Sequence, residues 1–205
     1  DWWPGPYALG PAAPLTITRL MRRLDERLDG GPIVIADIGD SLFSSTELTT
    51  RGRTEFLSPA YYTSMGFSVP AALGAVHAQP DARVVVIVGD GAFQMTGMEL
   101  SNLVRRKLPV IVIVLNNSGY GTERLLHPGE YKFNEIHAWN YHRLPEVLGG
   151  GTGYEVRSEA DFDAALQAAW SDLSGPSLLH VHLDPEDCSP ALERLAAMMS
   201  KTVTG

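Results

Sequence analysis

Two glycine-bordered turns carry oxygen atoms suited to holding a metal ion beside a phosphate. The first turn spans residues 88–92 (VGDGA) and the second spans residues 115–119 (LNNSG). Asp90 offers a charged oxygen, Asn117 an amide oxygen and Gly119 a backbone carbonyl that no side chain obstructs. Oxygen ligands with few charges suit Mg²⁺, which shares its coordination shell with phosphate oxygens and water. The two turns therefore predict a magnesium and phosphate site, provided that the fold brings them together.

The spacing of the turns is compatible with such a fold. Each turn directly follows a β-branched run, residues 83–88 or 109–115, that predicts a buried strand. Twenty-four residues separate Gly91 from Asn116, enough for a helix and a strand. A right-handed crossover would place both turns at one sheet edge. There Gly91 would let the backbone approach a phosphate, and the amides of the next helix would add a positive dipole end.

The elements that must position these turns alternate along the chain. Strands are predicted near residues 33, 84, 110, 154 and 178. The main helices are predicted at 16–28, 66–78, 94–106, 160–173 and 189–200, with Thr16 and Ser189 as N-caps. Because the strands are apolar on both sides, we expect a doubly wound α/β fold with a mainly parallel sheet and helices on both faces. Ligands of such folds bind at the carboxyl ends of the strands.

Composition narrows the class of protein. Residues 1–14 contain four prolines and predict an extended linker, whereas residues 15–205 predict one domain. The net charge of −8 gives no basic face for nucleic acid. The single cysteine, Cys188, excludes an internal disulfide and favours the cytoplasm. No apolar run is long enough to span a membrane. The opening residues lack an initiator methionine and a signal peptide, which indicates a piece of a longer chain.

The remaining polar residues give weaker signals. The six histidines show no spacing typical of a metal site. His180 and His182 fall on one face of a predicted strand, where structural roles are expected. Cys188 is also interpreted as structural. On residue type alone, Met65 is a core methionine and Glu123 is a solvated acid favoured by a helix N-terminus.

The pair of turns resembles the motif of thiamine-diphosphate enzymes, in which GDG precedes NN by about two dozen residues. The resemblance implies that Asp90, Asn117 and the Gly119 carbonyl hold Mg²⁺, which grips the cofactor diphosphate. From about residue 15 to residue 202 the chain resembles the C-terminal domain of pyruvate and indolepyruvate decarboxylases. Segments 36–43, 64–75, 88–127 and 184–195 carry this similarity. It implies the thiamine-diphosphate-binding fold and a non-oxidative decarboxylation of a 2-oxo acid to an aldehyde and CO₂.

The resemblance also assigns individual residues. The cofactor contacts that it implies are Gly39, Asp40, Ser41, Thr63, Met65, Gly89, Asp90, Gly91, Ala92, Asn117, Gly119 and Tyr120. Met65 stands where the family places an apolar wedge that bends the cofactor, so that its amine can reach the reactive carbon. Glu123 stands at the position of a catalytic carboxylate that donates or relays protons. Thr63 replaces a glycine of close relatives, which use only its carbonyl.

The family resemblance defines the substrate and the partners less closely than the cofactor contacts. Thr122 and Leu126 fall where the family lines the substrate pocket. Because Thr122 is smaller than the isoleucine of pyruvate-specific members, we favour an aromatic or branched 2-oxo acid over pyruvate. The family's cofactor lies between two domains, so a pyrimidine-binding domain from the parent chain or a partner subunit is expected. Two alternatives stay open: a carboligase, although carboligases tend to lack the acid at Glu123, and a non-catalytic phosphate- or nucleotide-binding module.

Overall fold

The computed structural model describes residues 7–10, 12–28, 31–49 and 55–203. Six strands form a single sheet in the order β2-β1-β3-β4-β6-β5, and every neighbouring pair is parallel. The strands are β1 Ile33–Ala36, β2 Glu55–Leu57, β3 Val84–Gly89, β4 Val110–Asn116, β5 Thr152–Val156 and β6 Ser177–His182. The parallel sheet and five of its strands are thus confirmed. The short edge strand β2 was not predicted.

Helices follow most strands and cover both faces of the sheet. They are α1 Ile17–Asp25, α2 Asp40–Ser45, α3 Ser68–Ala78, α4 Asp90–Thr96, α5 Leu100–Arg105, α6 Gly121–Leu126, α7 Leu144–Val147, α8 Glu159–Ser171 and α9 Pro190–Val203. The predicted caps are present, because the Thr16 hydroxyl accepts the Arg19 N–H and the Ser189 hydroxyl accepts the Leu192 N–H. None of the helices in the described part of the chain is long and apolar enough to cross a membrane.

The core consists of two apolar layers on opposite faces of the sheet. Along β3, Val85 and Ile87 pack on one face with α1 and α8, whereas the alternate valines of that strand pack on the other face with α3 and α5. Residues 84–88 are all 0% exposed. Burial of both strand faces explains why β3 and β4 are unbroken apolar runs.

The sheet order places the carboxyl ends of β1, β3 and β4 side by side. Gly89 pairs with Leu115, and Ala36 pairs with Ile87. The polar segments that follow these three strands therefore emerge at one edge, as the crossover argument predicts.

One predicted element differs from the structure. The helix predicted at 94–106 begins at Asp90 instead, directly after β3, with Gly89 as its N-cap. The first turn, Gly89-Asp90-Gly91, was predicted to precede the helix and instead forms its first residues. A 3₁₀ turn at Gly97–Glu99 then divides the helix into α4 and α5. A side chain on Gly97 would overlap the Phe93 ring, so the break occurs where an aromatic ring packs on bare backbone.

The N-terminal segment predicted as a linker contacts the domain wherever the structure describes it. Residues 1–6 and 11 lie outside the described residues. The Tyr7 hydroxyl and the Gly10 N–H both donate to Glu159 at the start of α8. Pro14 forms an isolated antiparallel bridge with Ser158. The described part has no helix and lies against α8.

Candidate functional site

The two turns meet at Asp90. Its Oδ2 accepts the Gly119 N–H at 3.1 Å, and its Oδ1 accepts the Gly91 N–H at 2.8 Å. The side chain is buried, with Asp90 only 1% exposed. Asp90 therefore points towards the second turn and away from solvent, which is the arrangement that a shared metal site requires.

The electrostatics of Asp90 favour a bound cation. Burial raises its pKa to about 6, although the N–H groups of Gly91 and Gly119 and the charge of Arg124 act in the opposite direction. No ion pair to Asp90 occurs among the residues that the structure describes. A buried carboxylate without a counter-ion is costly, and each of its oxygens keeps a lone pair for a further partner. A divalent ion at this position would neutralise the charge.

The second turn presents its oxygens from a tightly held backbone. Ser118 adopts a left-handed conformation with φ 59°, and its N–H donates to Asn116 Oδ1 at 3.1 Å. Arg124 donates to the carbonyls of Asn117 and Ser118 at 3.0 and 2.7 Å. The Gly119 carbonyl accepts the Gly121 N–H at 3.0 Å, which leaves a lone pair for a metal. An amide oxygen, a carbonyl and a carboxylate are a donor set that fits Mg²⁺.

Bare backbone at two glycines permits this close approach. A Cβ on Gly119 would overlap the Asn134 carbonyl and the Arg124 guanidinium. A Cβ on Gly91 would lie 2.5 Å from Cε1 of Tyr120. Gly91 therefore accommodates the Tyr120 ring, in addition to any phosphate that approaches it.

A cavity of about 750 Å³ opens beside these turns. This volume lies within the range of cofactor sites. All the residues that the sequence singles out for cofactor, metal, catalysis or substrate line it: Gly39, Asp40, Ser41, Thr63, Met65, Gly89, Asp90, Gly91, Ala92, Asn117, Gly119, Tyr120, Thr122, Glu123 and Leu126. The fold thus gathers residues from four separate segments around one space.

The start of α2 forms another part of the cavity wall. Gly39 is its N-cap with φ 95°, in the left-handed region that favours glycine. The Asp40 carboxylate accepts the Ser189 N–H at 2.7 Å and also the Ser189 hydroxyl. Burial raises the pKa of Asp40 to about 6, against the lowering effect of Ser189. The Asp40 side chain thus fastens α2 to α9.

Asp37 anchors the loop that carries Met65. This carboxylate is 0% exposed and accepts the N–H groups of Gly66 and Ser68 at 3.1 and 2.9 Å. Thr63 has φ 55°, which lies in the left-handed region that favours glycine. Met65 is 38% exposed and reaches the cavity. Sequence reasoning did not single out Asp37, because its role depends on the return of a distant loop.

Helix α6 forms the open side of the cavity. The Glu123 side chain is 51% exposed, and its Oε2 lies 3.4 Å from His127 Nδ1. Thr122 and Leu126 lie on the same short helix and line the same cavity. Because no described element covers Glu123, another protein surface must exclude water there if this acid is to transfer protons.

Two further residues at the site were missed by sequence reasoning. Arg124 holds the carbonyls of the second turn, yet in sequence it is an ordinary helical arginine. Asn134 is 2% exposed and contributes to the cavity wall, and its amide atoms have no hydrogen-bond partner among the described residues. In the sequence, Asn134 is only one polar residue within an irregular segment that is rich in aromatic residues.

Comparison with known proteins identifies the family. The model described as "Thiamine pyrophosphate enzyme, C-terminal TPP binding domain" matches residues 37–181. This chain belongs to the thiamine pyrophosphate enzymes. The match includes both turns and the strands that carry them, so the thiamine-diphosphate-binding fold and the decarboxylase resemblance are confirmed for this family member.

Relatives of this thiamine pyrophosphate enzyme domain are 2-oxo acid decarboxylases. It is 34% identical to a probable pyruvate decarboxylase of Schizosaccharomyces pombe over 91% of the chain and 33% of that protein. It is 33% identical to an alpha-keto-acid decarboxylase of Mycobacterium ulcerans over 98% of the chain and 36% of that protein. It is 38% identical to an indole-3-pyruvate decarboxylase of Azospirillum brasilense over 78% of the chain and 29% of that protein. The chain spans about a third of the length of these relatives.

Proposed function

We propose that this chain provides the diphosphate- and Mg²⁺-binding part of a non-oxidative 2-oxo acid decarboxylase. The observation that carries the proposal is the buried Asp90 carboxylate, 3.1 Å from the Gly119 N–H at the joined ends of β3 and β4. The family match supports a thiamine-diphosphate site at the same edge. The names of the relatives support decarboxylation as the reaction class.

The ion and the diphosphate would be held by separate groups. Asp90, Asn117 and the Gly119 carbonyl would coordinate Mg²⁺. Gly39 and Ser41 at the start of α2, and the backbone amides at the start of α4, would receive the diphosphate oxygens. The bound Mg²⁺ would neutralise both the diphosphate and the buried carboxylate.

The remaining residues would serve the reaction itself. When bound, thiamine diphosphate supplies a carbon nucleophile and an electron sink for the charge that is left as CO₂ departs. Met65 would support the bent shape that brings the cofactor's amine to its reactive carbon. Glu123 would hold the proton that is delivered to the former carbonyl carbon of the substrate. Tyr120 would contact the cofactor beside Gly91.

The substrate that we favour is an aromatic or branched 2-oxo acid, such as phenylpyruvate. Thr122 and Leu126 stand on the cavity wall, and Thr122 is a short side chain next to a glycine. The relatives include both a pyruvate and an indole-3-pyruvate decarboxylase, so their names do not decide between these substrates. The size of the side chain at position 122 is the argument for the larger acid.

A pyrimidine-binding domain would complete the site, supplied by the parent chain or by a partner subunit of a homo- or hetero-oligomer. The mouth of the cavity is bordered by Thr63 and Phe133. Aromatic side chains here are unusually open: Tyr61 is 89% exposed, Tyr62 81% and Phe133 66%. Exposed aromatic side chains are typical of interfaces. The free, half-buried Cys188 is compatible with our proposal of a cytoplasmic protein.

The metal and cofactor assignment is tested by calorimetry on the chain together with its pyrimidine-binding domain. We expect thiamine diphosphate to bind only with Mg²⁺, and Asp90→Ala to weaken binding by at least 100-fold, because one charged ligand is lost. Asp81→Ala is the matched control, since Asp81 is exposed between α3 and β3 and should leave binding unchanged. Mg²⁺-independent binding, or a preference for ATP or a flavin, would refute the proposal and favour a different phosphate ligand.

A further inference from the structure

A second group of possible metal ligands lies outside the cavity. His142 comes from the 3₁₀ turn Tyr141–Arg143, Glu155 from β5 and His180 from β6. One ligand atom from each lies within 4.8 Å of the other two. Glu155 and His180 are direct partners in the pairing of β5 with β6. The sequence showed no metal spacing because the three residues come from three elements.

We propose that His142, Glu155 and His180 bind a transition-metal ion of the Zn²⁺ type. The Nδ1 atoms of His142 and His180 are 3.2 Å apart. Tetrahedral Zn²⁺ with Zn–N bonds of about 2.05 Å separates two nitrogen ligands by about 3.4 Å. The separation of the two nitrogens thus already matches that of two ligands on one ion, and the two rings, which are 15° from coplanar, must turn so that both lone pairs face it. Nitrogen ligands also distinguish this site from the all-oxygen site at Asp90.

His180 is held in place for this role. It is 2% exposed, and its ring meets the Tyr141 ring edge-on with centroids 5.0 Å apart. From this fixed position its Nδ1 faces the Nδ1 of His142.

Asn116 would complete the second layer of the site. Its Nδ2 lies 2.8 Å from His180 Nε2, so Nε2 accepts in the metal-free state. A metal on Nδ1 places the ring proton on Nε2, which then needs an acceptor of the kind that is usual behind metal ligands. The Asn116 amide has to turn over to supply its Oδ1, and the hydrogen bond from the Ser118 N–H is then lost.

Glu155 and its neighbours face the solvent side of the cluster. Glu155 Oε1 lies 2.7 Å from Arg157 and 3.1 Å from His182 Nε2. The Arg157 side chain is 63% exposed and can turn into solvent when a cation replaces it. His182 packs beside the cluster, with its ring centroid 4.1 Å from that of His180. None of these residues lines the cavity beside Asp90.

The test is calorimetric titration of the protein with Zn²⁺ while excess Mg²⁺ occupies the oxygen site. We expect one equivalent of Zn²⁺ to bind. His142→Gln and Glu155→Gln should each weaken binding at least tenfold, because each removes one ligand from a partly exposed position. His77→Gln is the matched control, because His77 is exposed on α3, far along the chain from the cluster. Co²⁺ should give the intense visible bands of a four-coordinate site, and these should be lost in His142→Gln.

The contrary outcomes are equally definite. No Zn²⁺ binding by the wild-type protein, or equal binding by wild type and His142→Gln, would show that the cluster is a hydrogen-bonded triad only. Circular dichroism of both partly exposed variants separates loss of a ligand from loss of folding. Neither outcome bears on the proposed decarboxylase function, because thiamine diphosphate binding is measured separately through Asp90→Ala.

Discussion

Three buried or half-buried carboxylates at the edge of the sheet are satisfied in different ways. Asp37 receives the amides of Gly66 and Ser68, and Asp40 receives both donors of Ser189. Asp37 thereby fixes the loop of Met65, and Asp40 fixes α2 to the start of α9. Asp90 receives one amide from each turn and keeps lone pairs towards the cavity. Asp40 and Asp90 thus accept the same number of hydrogen bonds. What distinguishes Asp90, the proposed metal ligand, is that its two donors come from the two turns themselves.

At the same scale, Glu123→Gln should separate catalysis from cofactor binding. The substitution keeps the shape of a side chain that is half exposed on α6 but removes its proton-transfer capacity. We expect kcat for phenylpyruvate decarboxylation to fall by about 10²–10⁴-fold, with the affinity for thiamine diphosphate unchanged. The measurement is aldehyde release by the chain assembled with its pyrimidine-binding domain, without added aldehyde acceptor.

Glu130→Gln serves as the control for this prediction, since Glu130 is an exposed acid a few residues beyond α6. Unchanged kcat in Glu123→Gln would contradict the catalytic role. Turnover that requires an aldehyde acceptor would indicate a carboligase in place of a decarboxylase.

The site residues could be predicted to different degrees. Asp90, Asn117 and Gly119 follow from two short motifs, because β-branched strands and one crossover fix where strand ends meet. Arg124 could not be predicted, because it reaches the carbonyls of the second turn and of Pro185 only once α6 has folded back beside them. Asn134 could not be predicted, because its place depends on how residues 127–140 fold over the second turn. The cluster of His142, Glu155 and His180 was hidden for a similar reason, because a 3₁₀ turn and two paired strands bring together residues that are far apart in the sequence.

At the scale of elements, the hydrophobic pattern of the sequence predicted strands best where both faces of the strand are buried. It predicted β3 and β4 because both faces of these strands are covered. It missed β2, an edge strand of three residues in which Phe56 and Leu57 are 43% and 40% exposed. It also missed the break at Gly97, because the overlap that a side chain would make with Phe93 is a tertiary contact.

The contact between α1 and α8 gives a prediction that depends on pH. Hydrogen bonding to Arg19 is the main reason why the pKa of Glu159 is lowered from 4.5 to about 2. Burial opposes this shift, whereas the Gly10 N–H and the Tyr7 hydroxyl lower the pKa further. A depressed carboxyl pKa stabilises the fold above the unfolded-state pKa, and this stability is lost as pH falls towards the folded-state value. We expect Glu159→Gln to reduce the free energy of unfolding by about 2–3 kcal/mol at pH 7.

Urea denaturation at several pH values measures this effect. The difference between wild type and Glu159→Gln should be constant above about pH 5 and should shrink between about pH 4.5 and pH 2. Glu146→Gln, an exposed acid on α7, is the control and should change stability little. A difference that does not depend on pH would show that lost packing, not the charge of Glu159, is responsible.

At the scale of the whole molecule, the sheet edge gathers the cofactor groups but leaves them uncovered. The cavity is walled by α2, α4, α6 and the loop of Met65, whereas Glu123 and the aromatic residues at the mouth face outward. The decarboxylation that we propose needs a site from which bulk water is excluded. We therefore expect a second protein surface to dock here, against the exposed aromatic residues.

Replacing Tyr61 and Tyr62 with serine tests this requirement. Burying a tyrosine at an interface contributes about 2 kcal/mol, and both side chains are more than four-fifths exposed in this chain. We expect the double substitution to weaken assembly with the pyrimidine-binding domain at least tenfold by sedimentation velocity, while circular dichroism of the chain stays unchanged. Leu173→Ser is the control, because Leu173 is 67% exposed just beyond α8, at the opposite edge of the sheet. If both variants assemble as well as wild type, the partner domain must approach the cavity from another side.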